Sequence, residues 1–584
     1  MSLIFGKFDL QIRSLQIDSL QYQNSYIHFQ ILQKKSEALY FDVDANLAVI
    51  ADARIINRTQ LIKMLHLKDN TITDCQLLLH GYKKWQAHCV KHIVGNFAFA
   101  IWDANEKNLF IARDPLGQRS LFYTIGKDGT FYFSNLARPL FDFASTLKLN
   151  KFKIADYLAV FPLNEDSYFS AIKTLPAAHH LILTPENTKP KIQRYWSAAE
   201  IAADRFPLIH SEALYAEFRE LFKTVIGDTL SLSDSMVCQL SGGLDSSAVT
   251  GMAAHLLPNK IIPAFGHIPS VKSSIKSRWN ATYDDTHFMR AVAEKYSNIE
   301  LHLIQSNNCL FSDSHEIHHY AGYPLSFPCN FLWIKRCVEL ARSMNKNIIL
   351  TGEAGNYTLS WEGIRSFKKT RNFKNNLLIR WLRNFKRPWS FISAISDSLA
   401  TETQLLGRFK RLNQNNDLQD PRIKIFDFHF DRDWSAITTV IRLLYGVEFI
   451  DPTADLRIVN FCLRSPVGIF RDDQQTRSLV RKSLGTLMPH CVRERTTRGL
   501  QCADWYHKID SQKELIRDLL ASWRFTPVAD YIQVDYLLRK LKHWNYRIIA
   551  NSEGKKYLYY KDEYRFKLLR SIEMGLFIQQ YLKN

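Results

Sequence analysis

No stretch of about 18 consecutive apolar residues occurs in the 584-residue chain, which excludes a membrane-spanning helix. Cysteine is sparse: the 9 present never form a CxxC pair, which argues against both a disulfide framework and a structural zinc site. The opening Met1-Ser2-Leu3-Ile4-Phe5-Gly6-Lys7 lacks the basic-then-apolar layout of a secretion signal, so a reducing cytoplasm is the expected setting. Acidic residues are short as well, 57 against 76 Lys and Arg, leaving a net charge of +19. Such an excess suits nucleic acid, a membrane surface, or an acidic or polyphosphate ligand. Paired cysteines and a recognisable RNA module are both missing, so a nucleic-acid partner is not expected, and neither is a membrane.

The acid shortage is partly local. Residues 364–390 hold Arg365, Lys368, Lys369, Arg371 and Lys374, then Arg380, Arg383, Lys386 and Arg387, without one Asp or Glu. Phe367, Phe373, Trp381, Phe385 and Trp389 are interleaved with them. Two readings stand: a flap that meets an anionic substrate, or a solvated basic loop with its aromatics tucked beneath. Elsewhere the chain is an ordinary globular one, 46% hydrophobic and 23% charged, and too long for a single core.

The chain is organised around Val237-Cys238-Gln239-Leu240-Ser241-Gly242-Gly243-Leu244-Asp245-Ser246-Ser247. An apolar run ending at Leu240 reads as a buried parallel strand, and residues 248–257 carry apolar groups at helical spacing. Gly242 and Gly243 let the intervening backbone turn tightly and bring successive N–H groups to a ligand. Those N–H groups and the positive end of the next helix make a nest for an anion. Ser241, Ser246 and Ser247 add hydroxyls, and Asp245 can hold a magnesium ion against phosphate oxygens. No GxxxxGK[ST] occurs, so no Walker lysine serves a γ-phosphate.

This string resembles the pyrophosphate loop of the N-type ATP pyrophosphatases. The resemblance implies ATP and Mg2+, cleavage between the α and β phosphates, adenylation of a carboxylate, and displacement of AMP by a nucleophile. It also implies an adenine nucleotide α-hydrolase-like domain, a doubly wound parallel sheet. The alternation agrees: strands at 261–268, 300–304 and 347–350 follow the loop with helical spacing between them, which puts a ligand at the strands' carboxyl ends.

Before residue 205 the chain reads as β-rich. Residues 47–54 are strand-like, 97–103 and 109–114 form a hairpin, 130–134 is a further strand, and 74–85 has helical spacing. Gly95-Asn96-Phe97-Ala98-Phe99-Ala100-Ile101-Trp102-Asp103 and Ala112-Arg113-Asp114-Pro115-Leu116-Gly117-Gln118-Arg119-Ser120-Leu121-Phe122-Tyr123 are similar to the glutaminase half of asparagine synthetases. The expected fold class is therefore α/β: an Ntn-hydrolase-like αββα domain at 1–205, a degenerate class II glutamine amidotransferase, then the parallel-sheet synthetase at 206–584 with helical additions. Residues 198–205 read as the linker, and 555–581 as a docking helix, packed on the surface or against a partner. Two departures imply lost glutamine hydrolysis: Ser2 stands where the resemblance expects cysteine, and Asp52-Ala53-Arg54 stands where it expects Asn-Gly-Glu.

Further motifs follow from the same resemblance. Thr351-Gly352-Glu353-Ala354-Gly355-Asn356 matches a second phosphate-side motif, with Asn356 in place of a metal-binding carboxylate. Gly266, Gly352 and Gly355 join Leu240, Ser241, Gly242, Gly243, Leu244, Asp245, Ser246 and Ser247 as the nucleotide set, with Asp245 and Asn356 on the metal. Glu353 reads as a base or a helix cap. Glu448, in Tyr445-Gly446-Val447-Glu448, reads as the base that deprotonates an attacking amine, with Tyr445 as partner, or as a salt bridge to Arg457 or Arg442. Thr497 falls where relatives carry a lysine, and Arg495 and Arg498 flank it to supply the charge.

The expected function is an ATP-dependent amide ligase whose nitrogen comes from its substrate, most similar to the macrolactam synthetases that close lasso peptides. The substrate is a peptide or a small carboxylic acid, and a leader peptidase and a leader-binding protein are the expected partners. The alternative is an asparagine synthetase acting on aspartate, fed by ammonia or by glutamine.

Overall fold

The computed structural model describes every residue except 1–2, 9–15, 19–20, 24–26, 32–37, 70, 161–165, 207–210, 272–280, 307–308, 364–392, 415–419, 430–432, 473–474 and 583–584. Ser2 and the basic stretch 364–390 thus lie outside the described residues. Two antiparallel sheets share one apolar core. Their strand order is Lys173–Thr174, Phe122–Ile125, Phe131–Ser134, Ile4–Phe8, Ile27–Ile31, Gln21–Gln23 and Gln16–Asp18 in one. In the other it is Asn187–Arg194, His179–Thr184, Asn108–Arg113, Gly95–Asp103, Leu47–Ile55 and Leu39–Asp42.

Side-chain alternation builds the layers. Ala48, Ile50, Ala98, Ala100 and Trp102 point into the core between the sheets, with Ile4, Phe131 and Phe133 opposite. Their chain neighbours Val49, Ala51, Phe97, Phe99 and Ile101 point the other way, onto Leu77, Leu78 and Tyr82 of the helix Asp74–Trp85. A reciprocal cap starts that helix: Gln76 N–H donates to Thr73 Oγ1 at 3.3 Å, and Thr73 N–H donates to Gln76 Oε1 at 2.8 Å. The outer face of the first sheet packs Phe5, Phe122 and Tyr132 against Ile154 and Tyr157 of the helix Lys151–Leu158. The order of layers is αββα.

The second half is built on a parallel sheet of order Ile299–Ile304, Ile262–His267, Met236–Gln239, Ile348–Leu350, Glu448–Ile450. In chain order that is 3-2-1-4-5, so the direction of winding reverses beside Met236–Gln239. A doubly wound sheet opens its ligand crevice at that reversal, above the carboxyl ends of strands 1 and 4. The fold class is α/β as the sequence implied, with helical additions.

Two expectations change. Residues 198–205 are no slack linker: Ala198–Ala203 is a helix whose Ala198 and Ala202 pack on Val459 and Leu463, and Ala198 N–H donates to Asp427 at 2.9 Å. The terminal helix Leu569–Leu582 is part of the chain's own core, burying Ile572, Phe577 and Ile578 with Tyr157, Tyr168 and Phe169. No helix among the described residues is long and apolar enough to cross a membrane.

Candidate functional site

The loop after Met236–Gln239 turns at Gly242, whose φ of +70° lies in the left-handed region. A Cβ there would also stand 2.7 Å from Phe288 Cβ, so glycine is required twice over. The helix Leu244–Leu256 starts immediately, with Ser241 N–H donating to Ser246 Oγ at 3.1 Å and the Ser241 and Ser246 hydroxyls 2.9 Å apart. Leu240, Ser241, Gly243, Leu244, Asp245 and Ser246 line one cavity of about 1320 Å³. That is larger than the roughly 300–1,000 Å³ of an ordinary small-molecule pocket, and room for two substrates side by side.

Asp245 is the focus of the phosphate side. Ser360 Oγ donates to its Oδ2 at 2.8 Å, while its Oδ1 is buried without a partner. Burial pushes the carboxyl up to about 6, against the lowering effects of Ser360 and the charge of Arg477. A Cβ on Gly355 would lie 2.2 Å from Asp245 Cγ, so that glycine clears room for the carboxylate. Gly352, Glu353 and Asn356 lie on the same wall, and so does Asp451, whose carboxylate accepts from Ala354 N–H at 2.7 Å. Magnesium takes one or two carboxylates together with substrate phosphates, and an orphaned Asp245 Oδ1, with Asn356 and Asp451 lining the same cavity, fits that demand. Among the described residues no group of three or more His, Cys, Asp or Glu side chains makes a metal cage.

Several expected residues stand elsewhere. Gly242, Ser247, Gly266 and Gly355 are not in the cavity wall. Ser247 is fully buried, and a Cβ on Gly266 would meet Met289 Sδ at 2.5 Å, so these two serve packing beneath the loop. Arg495 lines the cavity but is not a free cation. It is ion-paired to Asp285 at 2.6 Å, donates to Gly242 O at 3.0 Å and stacks 4.0 Å over Phe288, so it braces the phosphate loop. Arg498 is exposed, lines the cavity and pairs with Glu362.

Glu448 requires the largest correction. Its carboxylate accepts from Arg119 Nη2 and from Arg54 Nη2, the latter at 3.0 Å, and it is absent from the cavity wall. Burial alone would raise its carboxyl, but the charges of Arg119, Arg54 and Arg442 outweigh burial and hold it far below the usual carboxylate range. A carboxylate so held does not take a proton from an amine, so the general-base reading fails. The expected partners were wrong too: Arg457 pairs with Asp455 and Asp228, and Arg442 with Asp52 at 2.7 Å. Tyr445 is also absent from the cavity wall; burial raises its hydroxyl, and the charges acting on it are those of Lys335, Asp313, Glu316 and Glu339.

Arg54 and Asp52 come from the strand Leu47–Ile55, so this cluster ties the antiparallel half to the parallel one. Asp52 accepts both Arg442 donors and one from Asn135 Nδ2 at 3.0 Å, with Arg119 Nε 3.4 Å away. Asn96, Gln118 and Arg119 of the same half complete the cavity wall. Sequence reasoning missed this clamp although Arg54 and Arg119 lay inside its own motifs. It also missed Ser360, Glu362 and Arg477, for which no motif gave a signal.

The glutamine amidotransferase domain family matches residues 32–196, and the asparagine synthase family matches 217–432 and 441–561, over half of the chain. Among curated proteins, the chain is 24% identical over 535 residues to glutamine-hydrolysing asparagine synthetase 3 of Bacillus subtilis, covering 84% of this chain and 81% of that protein. It is 28% identical over 225 residues to glutamine-hydrolysing asparagine synthetase 2 of the same organism, covering 37% and 30%. Amidase chry2 of Gibberella zeae is 24% identical over 297 residues, 48% and 42% of the two chains.

Proposed function

The chain belongs to the asparagine synthase family of ATP-dependent, AMP-forming carbon–nitrogen ligases, and from that premise we propose that it joins an adenylated carboxylate to an amine carried by its own substrate, closing a macrolactam in a ribosomal peptide of the lasso type. One observation carries the substrate-amine reading. The strand positions where the resemblance expects a glutamine clamp are spent: Asp52 on Arg442, and Arg54 on Glu448.

The phosphate loop holds the triphosphate by its N–H groups and by the hydroxyls of Ser241 and Ser246. Asp245 and Asn356 would hold magnesium, which neutralises charge on the phosphate oxygens when bound. Arg477 stands close enough to Asp245 to act on its charge, and with Arg498 it supplies cations for the departing pyrophosphate. The acceptor carboxylate attacks the α-phosphorus, pyrophosphate leaves, and the amine then displaces AMP from the acyl adenylate. Glu353, exposed on the cavity wall, takes the amine proton in place of Glu448. A leader peptidase and a leader-binding protein are the partners such a precursor requires.

The test is incubation of the full-length protein and MgATP with linear peptides that carry a free N-terminal amine and an Asp or Glu side chain. A product one water lighter, with AMP and pyrophosphate in equal amounts, is expected; AMP release without mass loss would refute ring closure. The similarity to an asparagine synthetase across most of the chain favours a second reading, ammonia-dependent amidation of aspartate. That reading requires AMP release from aspartate, MgATP and ammonium with no peptide present.

A further inference from the structure

Arg570 stands on the terminal helix Leu569–Leu582 and forms part of the cavity wall, with only 5% of its surface exposed. Among the described residues it has no carboxylate at ion-pair distance. Its Nη1 donates to Ser326 O at 2.9 Å and its Nη2 to Tyr157 O at 2.6 Å, while Nε is buried without a partner. The carboxylates of this region are committed elsewhere. Glu573, one turn on, accepts from Ser314 Oγ at 2.7 Å and Leu325 N–H at 2.9 Å, and its other contact is His318 Nε2 at 2.6 Å. Asp433 holds Lys153 Nζ at 2.9 Å and the Tyr168 hydroxyl at 3.2 Å.

A buried guanidinium without an anion is costly to keep, and this one borders apolar surface that is itself unusually open. Phe327, 45% exposed, lies 5.5 Å from the guanidinium, and Val160, 47% exposed, shares the Tyr157 carbonyl with it through an N–H bond of 3.2 Å. Both line the same cavity as the phosphate loop, and Trp434 does too.

We propose that Arg570, Phe327, Val160 and Trp434 form an acceptor subsite that binds a carboxylate next to an apolar side chain, such as a peptide C-terminus, distinct from the carboxylate that is adenylated. This rests on the ligase reading of the cavity and names the acceptor's second anchor. The guanidinium supplies charge-assisted donors to the anion, and the exposed ring and methyls cover the neighbouring side chain.

The probe pair is N-acetylphenylalanine and N-acetylphenylalanine amide, alike except for the charge, titrated calorimetrically into the full-length protein. The acid should bind about tenfold or more tighter than the amide, as expected for a hydrogen bond to a charged group. Arg570→Met should erase that preference and Arg570→Lys keep part of it, with MgATP binding unchanged in both. Phe327→Ser, at an exposed position, should weaken both probes alike, which keeps the test sound if Arg570→Met fails to fold. Equal binding of the two probes, binding of neither, or a preference that survives Arg570→Met would overturn the subsite. Pyrophosphate release from MgATP is measured in parallel with a linear peptide bearing an acidic side chain, and separately with aspartate and ammonium: its absence from both with the acid preference intact would count against the ligase reading alone.

Discussion

Glu448 is a structural anion whose neutralisation leaves the buried Arg119 with Asp52 alone, at 3.4 Å, and Asp52 already holds Arg442. Breaking a buried pair from one side costs about 3–5 kcal/mol, so Glu448→Gln should lower the melting temperature and reduce pyrophosphate exchange and product formation by the same factor. A selective loss of product formation, with stability intact, would restore its role as base. The pH dependence has a definite sign. Glu448 and Asp52 are both held below their ordinary values, Glu448 by Arg119 and Arg54 and Asp52 by Arg442 and Arg119, in each case against burial. Their contribution is complete above about pH 4 and is lost as pH falls through the folded-state values. The slope of stability against pH below that point should therefore be shallower in Glu448→Gln than in the wild type, as read from urea unfolding. Asn356→Asp adds a carboxylate to the wall that already carries Asp245 and Asp451, and should lower the magnesium concentration needed for half-maximal pyrophosphate release.

At the level of elements, the phosphate loop depends on its two neighbours. Gly242 is fixed in the left-handed region, and Arg495 holds its carbonyl. Gly242→Ala should cost about 1–2 kcal/mol from backbone strain, with further loss from the contact with Phe288, and should raise the KM for ATP more than it lowers kcat. This loop was legible in the sequence because a strand, a glycine pair and a helix follow one another within a dozen residues. The helix Asp74–Trp85 and the hairpin Gly95–Asp103 with Asn108–Arg113 were legible for a similar reason, since their apolar periodicity is local. The role of Glu448 was not legible. Its partners Arg54 and Arg119 are 394 and 329 residues away, and no spacing rule reaches across halves of a fold. The helix at Ala198–Ala203 was missed because its alanines carry little periodic signal and are fixed by Asp427 and Val459 instead.

Across the whole molecule, the antiparallel half contributes wall and ballast to the synthetase cavity. Asn96, Gln118 and Arg119 face that cavity, while Asp52 and Arg54 pin the two halves together. On the proposed reading this half serves as a scaffold, and its loss by truncation should destabilise the remainder and not merely uncouple a nitrogen supply. The central claim, that nitrogen does not come from glutamine, is open to one direct measurement. The full-length protein is incubated with MgATP, aspartate and glutamine labelled with nitrogen-15 at its amide, and the products are read by mass spectrometry. The account predicts no glutamate and no labelled asparagine; labelled asparagine formed at the rate of pyrophosphate release would contradict it.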